Sequence, residues 1–459
     1  MTENVSFAEN VVKKAEAKGA KQSEVFQLKE KMTYITVEQG EIKFRERADI
    51  TGLGLRVLKN GALGFSYTTN LNDSGIEKVI EQALSIASVM PRDADFKGFP
   101  ESKRGSVVKD VYDSALANLS PEEAVEIVSK MAESARSSVK KVIPTFGVLD
   151  SRITTRIVAN SMGIGIEEIG TLISIGLRTL FKSGKKAGNG YDFESTRKLK
   201  ELHPVEVGSN AGELAVSSTK TKKIETIKTT VILEPHAVAG ILEPVLAEAL
   251  LGNLIQEKRS VFAGRMNQKI GRELLSVVDN GTLPGGFSSA SFDDEGVPTQ
   301  ETVLIDRGVL LSQLYNTYYA RKVGEESTGN AVRRGGYMSG SKPYRNPTTV
   351  GATNFIIKSG SSSKAKMIEE TEDGVLVTFA VGGGSPISGD FSTDARNAFK
   401  IEHGAIAYPI SQAMFTGNIL QFGKNIVEIS KEQKFSGGLS PGNLLCPVIK
   451  ITDGLIIGT

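Results

Sequence analysis

The sequence predicts an α+β protein in which two small N-terminal modules, each running helix, strands, helix, precede a large β-rich C-terminal domain. Three observations predict it. Apolar spacing switches from the helical period to the strand period and back, twice, before residue 220. A basic tetrapeptide follows, and beyond about residue 270 the chain is rich in glycine and β-formers. At roughly 150 residues per domain, 459 residues accommodate three units, and the boundaries are placed at 1–105, 106–222 and 223–459.

The elements follow in order. Residues 6–18 place Phe7, Val11, Val12 and Ala15 at helical spacing, and Gly19 stops them. Residues 23–69 alternate, as in Tyr34-Ile35-Thr36-Val37-Glu38, and Lys59-Asn60-Gly61 is a hairpin signal because Asn and Gly tolerate positive φ. A helix is expected near 74–90, with Ser74 and Glu77 at capping-box spacing. After a polar stretch near 95–110 the order returns. Ser120-Pro121-Glu122-Glu123 opens a helix to about 137, strands fill 143–192, and a helix covers 204–218. Gly54-Leu55-Arg56 and Gly176-Leu177-Arg178 occupy matching places, 122 residues apart. Either the modules are an internal repeat or they are unrelated units sharing turn chemistry. Lys220-Thr221-Lys222-Lys223 is a solvated linker in this reading. A strand at 229–233 and a helix entered at Glu234-Pro235 open the last region.

Composition narrows the function. Hydrophobic residues make up 39% of the chain, enough for a large core. Lys+Arg 55 against Asp+Glu 53 leaves a net charge of +2, which provides no whole-molecule field for nucleic acid or an anionic membrane. The one cysteine, Cys446, forms no intrachain disulfide, and the acidic, polar start is unlike a signal peptide. The expectation is a cytoplasmic protein with neither nucleic acid nor membrane as partner.

Catalytic motifs are scarce. His203, His236 and His403 are separated by 33 and 167 residues, so no pair shares a helix as a zinc hydrolase helix requires. No Gly-x-Ser-x-Gly elbow occurs. Gly382-Gly383-Gly384-Ser385 lacks the Lys of a phosphate loop, and reads as a turn that lets another backbone approach. Cys446 sits in an apolar run and reads as buried and inert. Asp293-Asp294-Glu295 is an acidic cluster in which Asp293 and Glu295 share a strand face. A turn completed by Gly296 explains it, and a site lining is the alternative.

Whole-chain features resemble one family. Phe292-Asp293-Asp294-Glu295-Gly296-Val297-Pro298-Thr299, Tyr319-Ala320-Arg321-Lys322 with Ser327-Thr328-Gly329-Asn330, Gly382-Gly383-Gly384 with Ser388-Gly389-Asp390-Phe391-Ser392, and Gly417-Asn418-Ile419-Leu420 occur in the order of the TldD/PmbA (TldD/TldE) zinc-dependent peptidases. The resemblance spans nearly the whole chain, with the specific motifs in the C-terminal region. It implies a metallopeptidase-family fold and a role in proteolysis of unfolded peptides. TldD-type subunits carry a His-Glu-x-x-x-His helix and a late cysteine that bind zinc; PmbA/TldE-type subunits lack them and pair with a TldD partner. In the ungapped register, this chain has Glu243 and Glu248 at the histidine positions and Pro244 at the catalytic glutamate. The cysteine falls near Gln433, and Cys446 comes about 13 residues later.

Proline has no titratable side chain, so no base stands at that position. Positions five apart diverge by about 140° on an ideal helix, so Glu243 and Glu248 are expected not to converge. They read as the wet side of a helix whose apolar side is Val238, Ile241, Leu242, Val245 and Ala249. The resemblance thus implies a PmbA/TldE-like chain with no metal and no catalytic residue of its own, zinc being carried by a TldD-type partner. Peptide contact is assigned to Gly382, Gly383, Gly384, Asp293 and Glu295, with strand-edge capture as the mode. The partner is a TldD-type subunit or a second copy. Two alternatives stand beside this reading: an independent hydrolase with a non-standard site, and a non-enzymatic homodimeric regulatory protein.

Overall fold

Thr2 caps the first helix, its hydroxyl accepting from the Val5 amide at 3.3 Å, so α1 (Glu3–Ala17) starts earlier than its apolar spacing indicates. The computed structural model describes residues 2–458 apart from residues 40, 104, 106, 140, 185, 335–341 and 437–442. Strands β1 (Gln22–Glu38), β2 (Glu41–Lys59) and β3 (Ala62–Thr68) follow, with Asn60 and Gly61 at positive φ in the hairpin between β2 and β3. Helix α2 (Asp73–Val89) is capped by Asn72, whose side chain accepts from the Gly75 amide at 2.9 Å. The cap expected at Ser74 therefore lies two residues upstream, because asparagine serves the free amides as well as serine does. A short α3 (Ser114–Ala117) precedes α4 (Pro121–Ser138), where Ser120 and Glu123 form the capping box at 3.2 and 2.8 Å. Strands β4 (Val142–Asn160), β5 (Gly165–Ser183) and β6 (Lys186–Thr196) then lead into α5 (Pro204–Ser217).

The two N-terminal modules share one antiparallel sheet, ordered β3-β2-β1-β4-β5-β6. The β1–β4 pairing joins them, so the sheet crosses residue 105 without a break. The halves repeat in register. Arg56 faces Phe65, Gly54 faces Tyr67 and Val57 faces Gly64 in the first; Arg178 faces Tyr191, Gly176 faces Phe193 and Thr179 faces Gly190 in the second. The helices repeat too. A Cβ on Gly64 would lie 2.0 Å from the Ala83 carbonyl oxygen, and one on Gly190 would lie 1.9 Å from that of Ala211. Both glycines are required because α2 and α5 press directly onto the edge strands.

The linker is exposed but pinned: the Lys222 amide donates to Pro409 at 2.9 Å, and its ammonium sits 4.3 Å over the Tyr408 ring. In the C-terminal domain β7 (Ile227–Leu233) and the strands Asp373–Gly384, Asp390–Glu402, Ala413–Asn418 and Leu444–Gly458 pair in a closed ring, since the last also pairs with β7. Helix α6 (Pro235–Leu242) packs on this ring, with Ala237, Val238, Ile241 and Leu242 fully buried. The C-terminal domain docks on the helix-free face of the N-terminal sheet, where Phe292 and Tyr344 meet Phe26, Leu28, Val158 and Ile164. Among the described residues no helix is long and apolar enough to cross a membrane.

Candidate functional site

Helix α6 does not continue as an α-helix. At Glu243–Ala247 it widens into a π-turn. Pro244 accounts for this: it has no amide to donate to the preceding turn, and its ring crowds the carbonyl there. The i→i+5 bonding of a π-turn fits more residues into each turn, which brings Glu243 and Glu248 nearer to one side than the divergence expected of a regular helix; the Glu248 charge acts on Glu243, and Arg334 acts on both. Nor are they a plain wet face. Both are half-buried, and neither carboxylate has a hydrogen-bond or ion-pair partner among the described residues. Burial pushes both above the usual carboxylate range, and the Arg334 guanidinium opposes the shift in each case. Arg334 donates to the Ala352 carbonyl at 3.0 Å. It also acts on the fully buried Asp279, which burial pushes up to about 6 against the donors Asn330 and Thr353 at 2.7–2.8 Å.

Cys446 is closer to this segment than its place in the chain implies. The ladder pairs Gln433 with Pro447 and Lys434 with Cys446, so the 13-residue gap becomes a cross-strand neighbour. The thiol is fully buried, and burial together with the Glu243 charge raises it far above its ordinary range. Gln433 lines a cavity of about 440 Å³ between β6 and the strand Ile426–Ser436, and its amide donates to Ile357 at 2.6 Å.

The histidines do not converge. His203 bonds Glu194 at 3.0 Å, His403 bonds Glu372, and His236 is held between Phe193 and Phe379 with both ring nitrogens unpartnered. Among the described residues no three His, Cys, Asp or Glu side chains stand close enough to share a metal ion. Zinc takes three or four His, Cys, Asp or Glu ligands; two carboxylates, a proline and an opposing guanidinium fall short of that set.

The acidic segment is structural. Asp293 is buried and accepts from the amides of Glu295, Val297 and Ala331 at 2.9–3.0 Å. Burial, then the Glu295 charge, raises its carboxyl well above the usual range. Glu295 accepts from Arg56 at 3.0 Å, Thr348 at 2.8 Å and the Thr317 amide at 3.1 Å; against the cost of burial, Arg56 holds it low. Both carboxylates are held by internal bonds, and Asp293, with Asp294, also lines a cavity of about 320 Å³. Gly382–Gly384 end the strand Asp373–Gly384 and are exposed. A Cβ on Gly382 would meet the next strand at 2.4 Å and one on Gly384 would meet Val245 at 2.2 Å, so the approaching neighbours are the chain's own. Gly383 alone looks onto open space. Beyond Val377 this strand is no longer paired with β7; α6 lies against it there, a Cβ on Gly240 falling 2.1 Å from the Ala380 carbonyl oxygen, while Gly382–Gly384 reach past the helix as an exposed strand end.

Sequence reasoning missed the polar centre between the domains. Glu24 is fully buried. It takes Arg56 at 2.8 and 2.9 Å and Arg333 at 2.6 Å. Arg197 spends all its donors on the carbonyls of Val111, Thr171, Gly286, Phe287 and Ser289 at 2.7–3.3 Å, and burial, then Arg156, push it down to about 10. Together with Arg156, Arg333 and Arg334 it lines a cavity of about 320 Å³. Two sequence features fall here, Arg56 of the first Gly-Leu-Arg triplet and the Asp293-Asp294-Glu295 segment, but neither indicated that they meet.

Comparison with known proteins covers almost the whole chain. Residues 226–458 match the PmbA/TldA metallopeptidase C-terminal domain, residues 23–87 match domain 1 of that description and residues 114–219 its central domain. An uncharacterized protein of Methanocaldococcus jannaschii is 28% identical over 396 residues, 85% of this chain and 87% of that one. Metalloprotease PmbA of Escherichia coli O157:H7 is 25% identical over 420 residues, 91% and 89% of the two chains. The crystal structure of TldE from Thermococcus kodakarensis superposes with a TM-score of 0.90 at 25% identity, covering 98% of this chain and all of that one.

Proposed function

This chain belongs to the PmbA/TldD metallopeptidase family, and from that premise we propose that it is the metal-free subunit of a peptidase pair. A TldD-type partner carries the zinc, and this chain helps to enclose an unfolded peptide. What supports the reading is the π-turn that carries Glu243 and Pro244 and ends at Glu248, with Arg334 acting on both carboxylates; by the ungapped register of the family resemblance these three residues correspond to the two histidines and the base of the zinc subunits. No proton acceptor stands at the Pro244 position to activate a water. With Asp293 and Glu295 held in internal bonds, the proposed peptide contact narrows to the exposed strand end at Gly382–Gly384, where main-chain bonding would accept many sequences. The cytoplasm is the proposed compartment.

The test is elemental analysis of the purified chain, followed by peptide cleavage assays with and without a TldD-type subunit. The expected result is zinc near zero, no cleavage by the chain alone, and chelator-sensitive cleavage by the pair. About one zinc per chain, with chelator-sensitive cleavage by the chain alone, would overturn the proposal.

A further inference from the structure

The repeat in the N-terminal sheet leaves one arginine without the acid that its counterpart has. In the first half Arg56 lies opposite Glu24 and Phe65, and its guanidinium binds Glu24 and Glu295 at 2.8–3.0 Å. The same register in the second half places Arg178 opposite Phe146 and Tyr191. Phe146 therefore stands where the first half has Glu24. Arg178 is exposed where Arg56 is buried; its guanidinium lies 5.6 Å from the centre of the Tyr191 ring, and among the described residues it has no hydrogen-bond or ion-pair partner.

Arg178 opens onto a cavity of about 560 Å³, inside the range of roughly 300–1,000 Å³ typical of small-molecule sites. The C-terminal domain forms its far wall with Phe379, Asn397 and Ser411. Its one lining carboxylate, Asp394, is already paired with Arg396 at 2.9 Å, so the cavity keeps one net positive charge. The Asn189 and Asn397 amides are free among the described residues, whereas the Ser411 hydroxyl, though without a partner, is sealed away from the cavity. Tyr191 and Phe379, 6.0 Å apart, supply aromatic walls. Unpaired donors, an unneutralised guanidinium and flat apolar walls describe a receptor for an organic anion.

We propose that this cavity binds a small carboxylate or phosphate borne on a flat, partly apolar body, with Arg178 receiving the anion and Tyr191 flanking the ring. The first half shows what a guanidinium at this register does when acids are supplied; in the second half the acid comes from outside. The inference is independent of the peptidase reading.

Isothermal titration of the full chain with benzoate, phenyl phosphate and neutral benzamide tests it. Both anions should bind and benzamide should not, and the tighter anion identifies the source of the charge. Arg178→Met should weaken both by about tenfold or more, as expected for a charge-assisted bond. Phe146→Glu restores the acid of the first half. It should neutralise Arg178 and abolish binding while the melting temperature holds or rises, which keeps the test independent of any folding defect in Arg178→Met. Benzamide binding as tightly as benzoate, no anion binding by the wild type, or affinities unchanged in both variants would overturn the proposal.

Discussion

Single residues carry consequences that their identity alone does not reveal. His236 is held among Phe193 and Phe379, and burial, with Lys434 nearby, pushes it down to about 3. Below pH about 6.5 the unfolded chain takes up a proton at this imidazole and the folded chain refuses it. Stability is therefore complete above that pH and falls as pH descends toward 3, on the order of 2–4 kcal/mol from this group. His236→Phe should flatten that slope and raise stability at neutral pH, because two buried unpartnered nitrogens disappear. Urea midpoints at pH 7 and pH 4.5 would show it, and a variant as acid-sensitive as the wild type would refute it. Nothing in the residues around 236 announced this; the cage is built from β6 and from the strand Asp373–Gly384, far along the chain.

At the scale of elements, local chemistry sets what forms and packing sets how it is used. The Ser120 box, the Asn60-Gly61 hairpin and Pro204 at the start of α5 were readable because each satisfies free amides or sets φ within a few residues. The π-turn was not. Pro244 predicts a disturbed helix, but a kink, a break and a widened turn all relieve the clash, and the surrounding core selects among them. The glycines of the repeat behave similarly. Gly64→Ala and Gly190→Ala drive a Cβ into the carbonyls of Ala83 and Ala211, and each should cost about 3 kcal/mol, the upper end for overpacking. Gly383→Ala, which meets nothing, should leave the unfolding midpoint nearly unchanged. Equal losses at Gly190 and Gly383 would show that the helix contact is not what demands glycine.

For the whole molecule, the decisive feature is the buried ionic centre joining the N-terminal sheet to the C-terminal domain. Glu24 holds two guanidinium groups, one from each side of that interface, and is completely shielded from water. Glu24→Gln should cost about 3–5 kcal/mol, since Arg56 and Arg333 stay buried with part of their counter-charge gone. Removing the exposed Lys130–Glu126 pair should cost no more than about 0.5 kcal/mol. Denaturant midpoints at constant slope would check both, and a small loss at Glu24 would mean that the interface relaxes to admit water. This centre also takes in Asp293-Asp294-Glu295, read from the sequence as a turn with a site lining as the alternative: Glu295 bonds Arg56, and Asp293 and Asp294 line the neighbouring cavity. A carboxylate cluster looks the same in sequence whether it faces a ligand or another domain's arginines.

The sequence by itself determined the α+β class, the order of the N-terminal helices and strands, the Asn60-Gly61 turn and the Ser120 cap, and that position 244 offers no proton acceptor. These depend on contacts within a few residues, or on the bare chemistry of one side chain. Only the tertiary structure decided that two modules form one sheet, that Cys446 lies across a ladder from Lys434, that Glu243 and Glu248 face one side, and that Arg178 lacks the acid Arg56 possesses. Apart from the Glu243–Glu248 turn, whose form the surrounding core selects, these join residues from about a dozen to more than a hundred positions apart. Chain spacing carries no information about such distances until strand register and domain docking bring the residues together.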